Sequence, residues 1–215
     1  MRKKMTMEEL ATKYHNRDTA PRIVGGKEIP YIEHPMAVVK RLVSWGCSND
    51  MEKDGGQTLD IAWGHDLLED TKIAPEEIAA TAGDNVLHSI EILSNLPGKH
   101  ADKAAYIQYV AEHANTVTLL VKLADRLCNV EDFLVSEGVE KARQYFEKAE
   151  PIFQRLWETK KKLERGIEED KRSNFPEDDD RGIGAILSRI ISEVNSIGKT
   201  LGAHWTWDKS SDVND

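Results

Sequence analysis

The stretch "TVTLLVKLADRLCNVEDFL", residues 116–134, is the most apolar helical segment of the chain. Its apolar residues recur at steps of three or four: Leu120, Leu123, Leu127, Val130 and Leu134. This spacing is that of an α-helix, and the length of the segment favours a buried helix over a strand despite its β-branched start. Asp125 lies inside this apolar segment, which is an unusual position for a carboxylate. A buried carboxylate requires a partner charge or a cation.

The rest of the chain shows helical spacing without convincing strand alternation, so the sequence predicts an all-α protein. Thr6 and Glu9 form a capping-box pattern, which predicts a helix from about Met7. Residues 17–31 contain two prolines and a Gly-Gly pair and predict a loop. Further helices are expected over 35–45, 59–70, from Pro75, over 85–95, 101–114, 138–149 and 151–165.

The C-terminal part differs in composition from the rest. Residues 168–180 are acidic and nearly without apolar side chains, so we expect a linker or loop there. The predicted division is a main helical domain over 1–166, a linker over 167–181, and a helix with a tail over 182–215. The apolar stripe from Ile183 to Leu201 must cover the core or a partner chain, and the second option would give a homo-oligomer.

The totals limit the function classes. The chain has 215 residues and a formal net charge of −9, which does not favour nucleic acid as a partner. No apolar run approaches the ~18 residues of a membrane span, and the N-terminus lacks the apolar core of a secretory signal. Cys47 and Cys128 are the only cysteines, too few for a disulfide framework, so a cytoplasmic location is expected.

The stretch "HDLLEDT", His65–Thr71, places four ionisable groups in an apolar surrounding. On one continuous helix, His65 would share a face with Glu69, and Asp66 with Asp70. These two faces adjoin each other, so all four side chains could line one cleft. A divalent transition metal would explain the cost of burying such groups, because imidazole and carboxylate are its usual ligands.

Three motifs, "YIEHP", "HDLLEDT" and "VKLADRLCN", resemble those of the HD superfamily of metal-dependent phosphohydrolases. The sequence is most similar to the hydrolase half of the RelA/SpoT family and to its small alarmone hydrolases, over about residues 8–135. The resemblance implies an all-α HD-domain helical bundle, here with a C-terminal helical extension. It also implies one Mn²⁺-like ion with the ligands His34, His65, Asp66 and Asp125.

The activity implied by the resemblance is removal of the 3′-pyrophosphate of (p)ppGpp, or of a related alarmone, by a water bound to the metal. Glu69 and Asp70 would orient or deprotonate that water. The residues expected to bind the nucleotide are Arg22, Lys27, Lys122, Arg126 and Asn129. Ordinary salt bridges are the alternative role for Lys122 and Arg126.

Two features depart from the family pattern. Ile23 and Val24 follow Arg22 where the family usually has a Lys-Ser pair, and Cys128 stands where the family commonly has His. The first departure concerns nucleotide specificity, and Cys128 is expected to pack rather than react. The open alternatives are a nucleotidase, a dNTP phosphohydrolase or an NADPH phosphatase with the same metal site, and a nucleotide-binding sensor without catalysis.

Overall fold

A long buried helix, α8 (Thr116–Ser136), forms the centre of the structure. The computed structural model describes residues 4–49, 57–164 and 183–203. Every residue of α8 from Val117 to Cys128 is buried, including the charged residues Lys122, Asp125 and Arg126. The Asn115 side chain caps its N-terminus by accepting a hydrogen bond from the Thr118 amide, at 2.8 Å. The buried-helix prediction for this segment is confirmed.

The other elements surround α8, and the all-α prediction is confirmed apart from one small hairpin. α1 begins with the predicted capping box of Thr6 and Glu9. Within the described residues, no helix combines the length and the apolar character that a membrane crossing requires. The element bounds are α1 Met7–Asp18, β1 Arg22–Val24, β2 Lys27–Ile29, α2 Glu33–Trp45, α3 Thr58–Gly64, α4 Leu67–Asp70, α5 Pro75–Ala82, α6 Asp84–Leu93, α7 Lys103–His113, α9 Val139–Glu147, α10 Glu150–Glu164 and α11 Ile183–Leu201.

The prediction of an irregular loop over 17–31 is wrong, because β1 and β2 form an antiparallel hairpin there. Gly25 and Gly26 connect the strands with φ angles of 56° and 75°, and two residues at positive φ are what a tight hairpin turn requires. The hairpin lies on the C-terminal end of α8. The Gly25 amide donates to Ser136 Oγ at 3.0 Å, and a Cβ on Gly25 would meet Val135 at 2.8 Å.

The prediction of one helix through 59–70 is also wrong, because the chain breaks between α3 and α4 at His65 and Asp66. The His65 ring nitrogen Nδ1 lies 2.7 Å from the carbonyl oxygen of Ala62. A continuous α-helix would use that carbonyl for the amide of Asp66. The Asp66 carbonyl then accepts from the amides of Glu69 and Asp70, which starts α4.

Helix α11 buries its apolar stripe within the chain, against α2, α9 and α10. Three hydrogen bonds fix it to α2. Glu193 accepts from Arg41 at 2.9 Å and from the Trp45 indole at 2.5 Å, and Arg189 donates to the Trp45 carbonyl at 2.9 Å. The acidic segment 167–181 and the tail with Trp205 and Trp207 lie outside the described residues, so the domain boundaries stay predictions.

Cys47 and Cys128 are both buried and free. Burial raises the pKa of each thiol to about 12, so both remain protonated at neutral pH. This agrees with the expectation that Cys128 packs rather than reacts.

Truncation of the α11 stripe tests its packing within the chain. Ile190→Ala should lower the free energy of unfolding by about 2–5 kcal/mol, because it leaves a cavity in the core. The exposed Ser192→Ala on the same helix is the control and should change it by less than about 0.5 kcal/mol. Urea denaturation measures both variants, and an unchanged midpoint for Ile190→Ala would contradict this packing.

Candidate metal centre and active site

Four side chains from three parts of the chain meet at one buried point. His34 lies in the first turn of α2, His65 and Asp66 form the break between α3 and α4, and Asp125 lies at the middle of α8. His34 Nε2 lies 3.1 Å from Asp125 Oδ1 and 3.6 Å from Asp66 Oδ2. His65 Nε2 lies 3.2 Å from Asp66 Oδ2 and 3.9 Å from Asp125 Oδ1. The fold therefore brings together all four residues proposed as metal ligands.

The hydrogen bond of His65 prepares its other ring nitrogen for a cation. The Ala62 carbonyl can only accept, so Nδ1 keeps its proton, and Nε2 supplies the lone pair when a cation replaces the second proton of the ring. Nε2 is buried and has no hydrogen-bond partner. A carbonyl bond on one ring nitrogen, with the other nitrogen directed at the ion site, is the usual arrangement of a metal-ligating histidine.

The separations within the cluster also suit a shared ion. Two ligands at about 2.1 Å from a metal lie about 3.0–3.4 Å apart at right-angle or tetrahedral geometry. The nitrogen–oxygen distances of 3.1–3.9 Å are close to this range. His34, His65 and Asp66 therefore form a group that could hold a metal ion, with Asp125 beside it.

The cluster attracts positive charge. Burial lowers the pKa of His65, but Asp66 and Asp125 outweigh burial and raise the pKa to about 9. Burial raises the pKa of Asp125, whereas Lys122 and the two histidines lower it more, so the pKa lies well below its ordinary value. Both pKa shifts show that the carboxylate oxygens of the cluster stabilise a neighbouring positive charge.

Asp125 receives a hydrogen-bond donor on each of its oxygens from its own helix. Lys122 Nζ lies 2.9 Å from Oδ2, and Asn129 Nδ2 donates to Oδ1 at 2.6 Å. Lys122 is buried, and its ammonium group lies 5.0 Å from the centre of the Tyr106 ring. The buried carboxylate is thus compensated on α8 itself.

The acidic pair predicted to handle the proton lies beside the cluster on α4. Glu69 Oε2 accepts from the backbone amide of Asn95 at 3.0 Å, and Asp70 accepts from the Tyr31 hydroxyl. Partial burial, and then the charge of Asp66, raises the pKa of Asp70 above its ordinary value. Burial likewise raises the pKa of Glu69. A raised pKa suits a carboxylate that accepts a proton during a reaction.

Tyr31 joins the acidic pair to the cluster, and sequence reasoning missed it. Its hydroxyl lies 3.0 Å from Asp66 Oδ2 and also contacts Asp70. The His15 ring stacks on its ring at 4.7 Å, with 13° between the planes. Burial lowers the pKa of His15 to about 4, so this stacked imidazole is neutral at neutral pH. The signal was the tyrosine of "YIEHP", three residues before His34.

A cleft with a volume of about 260 Å³ opens onto the cluster. Four basic residues line it: Arg22, Lys103, Lys122 and Arg126. Arg126 lies over the Tyr145 ring at 3.6 Å, and Tyr145 also lines the cleft. Of the five residues proposed to bind substrate, Lys27 does not line the cleft, since it is exposed on β2. Lys103 and Tyr145 carried no distinctive sequence signal.

No protein-family model matches the chain. Over 147 residues the chain is 30% identical to guanosine-3′,5′-bis(diphosphate) 3′-pyrophosphohydrolase MESH1 of Danio rerio, covering 65% of this chain and 78% of the relative. The chain belongs to the MESH1 family. The resemblance predicted from the three motifs is therefore confirmed.

Further relatives support the same family. The MESH1 protein of Xenopus tropicalis is 32% identical over 145 residues, which cover 64% of this chain and 77% of the relative. A guanosine-3′,5′-bis(diphosphate) 3′-pyrophosphohydrolase of Aquifex aeolicus is 30% identical over 145 residues, but only 20% of that longer protein is covered.

A solved structure shares the MESH1-type fold. It is that of a metazoan ortholog of SpoT that hydrolyses ppGpp and has a role in starvation responses. It has a TM-score of 0.59 and 21% sequence identity, and the match covers 87% of this chain and 92% of that chain. The helical architecture described above is therefore that of this family.

Metal binding should stabilise the fold through His65. Mn²⁺ at about 100 times its Kd should raise the free energy of unfolding by about 2.7 kcal/mol. His65→Gln should lose this stabilisation, because it replaces the lone pair of Nε2. His88→Gln, a change at an exposed histidine, is the control and should keep it. Thermal unfolding with and without Mn²⁺ measures the effect, and equal stabilisation of both variants would place the ion elsewhere.

Proposed function

We propose that the chain is a metal-dependent hydrolase that removes the 3′-pyrophosphate of guanosine-3′,5′-bis(diphosphate) or of a closely related alarmone. The observation that carries the proposal is the convergence of His34, His65, Asp66 and Asp125 beside the acidic pair, in a cleft with basic walls. Membership of the MESH1 family supports the choice of substrate.

Manganese is the proposed ion, with another divalent transition metal as the alternative. Two imidazoles and two carboxylates form a mixed set of ligands that suits such ions. When bound, the cation supplies Lewis acidity, which polarises a phosphoryl group and makes water acidic enough to attack near neutral pH. His34, His65, Asp66 and Asp125 would hold it.

The acidic pair would manage the proton of the attacking water. Water attacks the phosphorus atom bonded to the ribose 3′-oxygen, and its proton passes to the carboxylate of Glu69 or Asp70. The bond between that phosphorus atom and the 3′-oxygen breaks. The 3′-oxygen takes up a proton and leaves as the hydroxyl of GDP, while pyrophosphate carries the oxygen of the water.

The basic walls of the cleft would hold the phosphates. Lys103 and Arg126 line the cleft that opens onto the cluster, and Arg22 lines it from the hairpin. Arginine and lysine pair with phosphate oxygens by charge-assisted hydrogen bonds. They would offset the repulsion between an anionic nucleotide and a chain of net charge −9. A cytoplasmic location remains a prediction from the sequence. The apolar stripe of α11, on which the expected homo-oligomer rested, is buried within the chain.

Product analysis tests the proposed reaction. The metal-stripped protein should be inactive on ppGpp, and restoring Mn²⁺ should yield GDP and pyrophosphate on ion-exchange chromatography. Asp66→Asn should abolish turnover because it removes a ligand oxygen. Release of orthophosphate from a nucleoside monophosphate, a dNTP or NADPH, with ppGpp left intact, would contradict the proposal that ppGpp is the substrate. Binding without turnover of any of these would favour a sensor.

Removal of the acidic pair should affect the chemical step. Glu69→Gln and Asp70→Asn should each lower kcat by about 10²–10⁴-fold, the usual range for a lost general base. Binding of Mn²⁺ should persist in both variants, because neither residue belongs to the cluster. The exposed Glu76→Gln on α5 is the control. Near-normal kcat in both variants would show that neither carboxylate acts as the general base.

The pH profile tests Tyr31. Its hydrogen bond to Asp70 stabilises the carboxylate and so lowers the pKa of Asp70, in opposition to burial. A base is active only when deprotonated, so activity falls as the pH drops through its pKa. Tyr31→Phe removes the bond, which raises that pKa and should move the acid limb of kcat to higher pH. An unmoved limb would exclude Asp70 as the titrating base.

A further inference from the structure

Asn129 links two parts of the cleft through the two ends of its amide. Its Nδ2 donates to Asp125 Oδ1 at 2.6 Å, and its Oδ1 accepts from Arg22 Nη2 at 2.9 Å. The chemistry of the partners fixes this orientation. A guanidinium only donates and a deprotonated carboxylate only accepts, so the amide cannot be turned around.

The linkage follows from spacing along α8. Asp125, Asn129 and Asp132 are four and three residues apart, so they lie in a row on one face of the helix. Arg22 reaches two of them, since its Nη2 also lies 2.9 Å from Asp132 Oδ2. The hairpin that carries Arg22 is fixed to the same helix by the bond from Gly25 to Ser136.

Asn129 acts on the oxygen of Asp125 that faces the histidines. Oδ1 lies 3.1 Å from His34 Nε2, whereas Oδ2 is held by Lys122. Helix α8 itself therefore supplies one donor to each oxygen and so orients the carboxylate toward His34. Of these two donors, Asn129 is the one that is also bonded to Arg22, so it connects Asp125 to the hairpin at the cleft.

We propose that Asn129 is a positioning residue for the metal ligand Asp125, and that Arg22 holds the Asn129 amide in the orientation this requires. The hairpin and the metal site then form one hydrogen-bonded unit. The inference rests on the proposed function, since it concerns the ion of that site. It gives Asn129 a role toward the metal that differs from direct contact with the nucleotide.

Calorimetric titration with Mn²⁺ alone tests the proposal without any activity measurement. Asn129→Leu keeps the size of the side chain, does not lower the helix propensity and removes the donor. It should weaken Mn²⁺ binding by about 10–100-fold, as the loss of a partner of a metal ligand does. The control is Asn85→Leu, a change at an exposed asparagine of α6, which should bind Mn²⁺ as the wild type does.

A second variant tests the part played by Arg22 and leaves Asn129 in place. Arg22→Met combined with Asp132→Asn keeps the net charge, so a change in Mn²⁺ affinity is not a general electrostatic effect. This double variant should weaken binding by a smaller factor, on the order of threefold to tenfold. Asp132→Asn alone retains the bond from Arg22 to Asn129 and should bind within about twofold of the wild type.

The outcomes separate this inference from the proposed function. Wild-type affinity in both Asn129→Leu and the double variant would overturn the positioning role and leave the metal site intact. A wild-type protein that binds no Mn²⁺ or related ion would overturn both. Unfolding temperatures in EDTA show whether Asn129→Leu is folded, and the double variant decides the matter if it is not.

Discussion

The charge of Asp125 is the constraint on which the rest of the structure depends. This carboxylate is 4% exposed at the middle of the most buried helix, where an unpaired charge would cost several kcal/mol. Lys122 and Asn129 supply donors from the same helix, and His34 approaches from α2. The His65–Asp66 break brings the remaining groups to the same point. The elements that pack around α8 therefore also bring the residues of the site together.

Much of the fold could be predicted because helical periodicity reports burial. These signals are local, because each depends on residues that lie within a few positions of one another. Examples are the apolar stripes of α8 and α11, the capping box of α1 and the proline at the start of α5. The two errors came from side-chain and turn contacts that periodicity does not contain. A short hairpin was hidden in a proline- and glycine-rich stretch, and a histidine bond to the Ala62 carbonyl ended a helix whose apolar spacing continued.

The site was predictable to the extent that its chemistry is uncommon in apolar helices. His34, His65, Asp66 and Asp125 stood out, and the fold brings them together. Tyr31, Lys103 and Tyr145 were not predicted as site residues, because aromatic and basic residues are common on protein surfaces. Only the fold brings these three to the walls of one cleft. Arg22 and Asn129 were expected to bind the nucleotide, but not to bind each other. Their link across 107 positions of the chain is a contact that no local pattern contains.

The most direct test of this account is the position of the ion. A crystal of the protein grown with Mn²⁺, with diffraction measured at a wavelength where manganese scatters anomalously, would locate it. The account predicts one strong anomalous peak within about 2.0–2.3 Å of ring nitrogens of His34 and His65 and of oxygens of Asp66 and Asp125. A peak at other residues, or none at this cluster while the protein binds Mn²⁺ in solution, would contradict it.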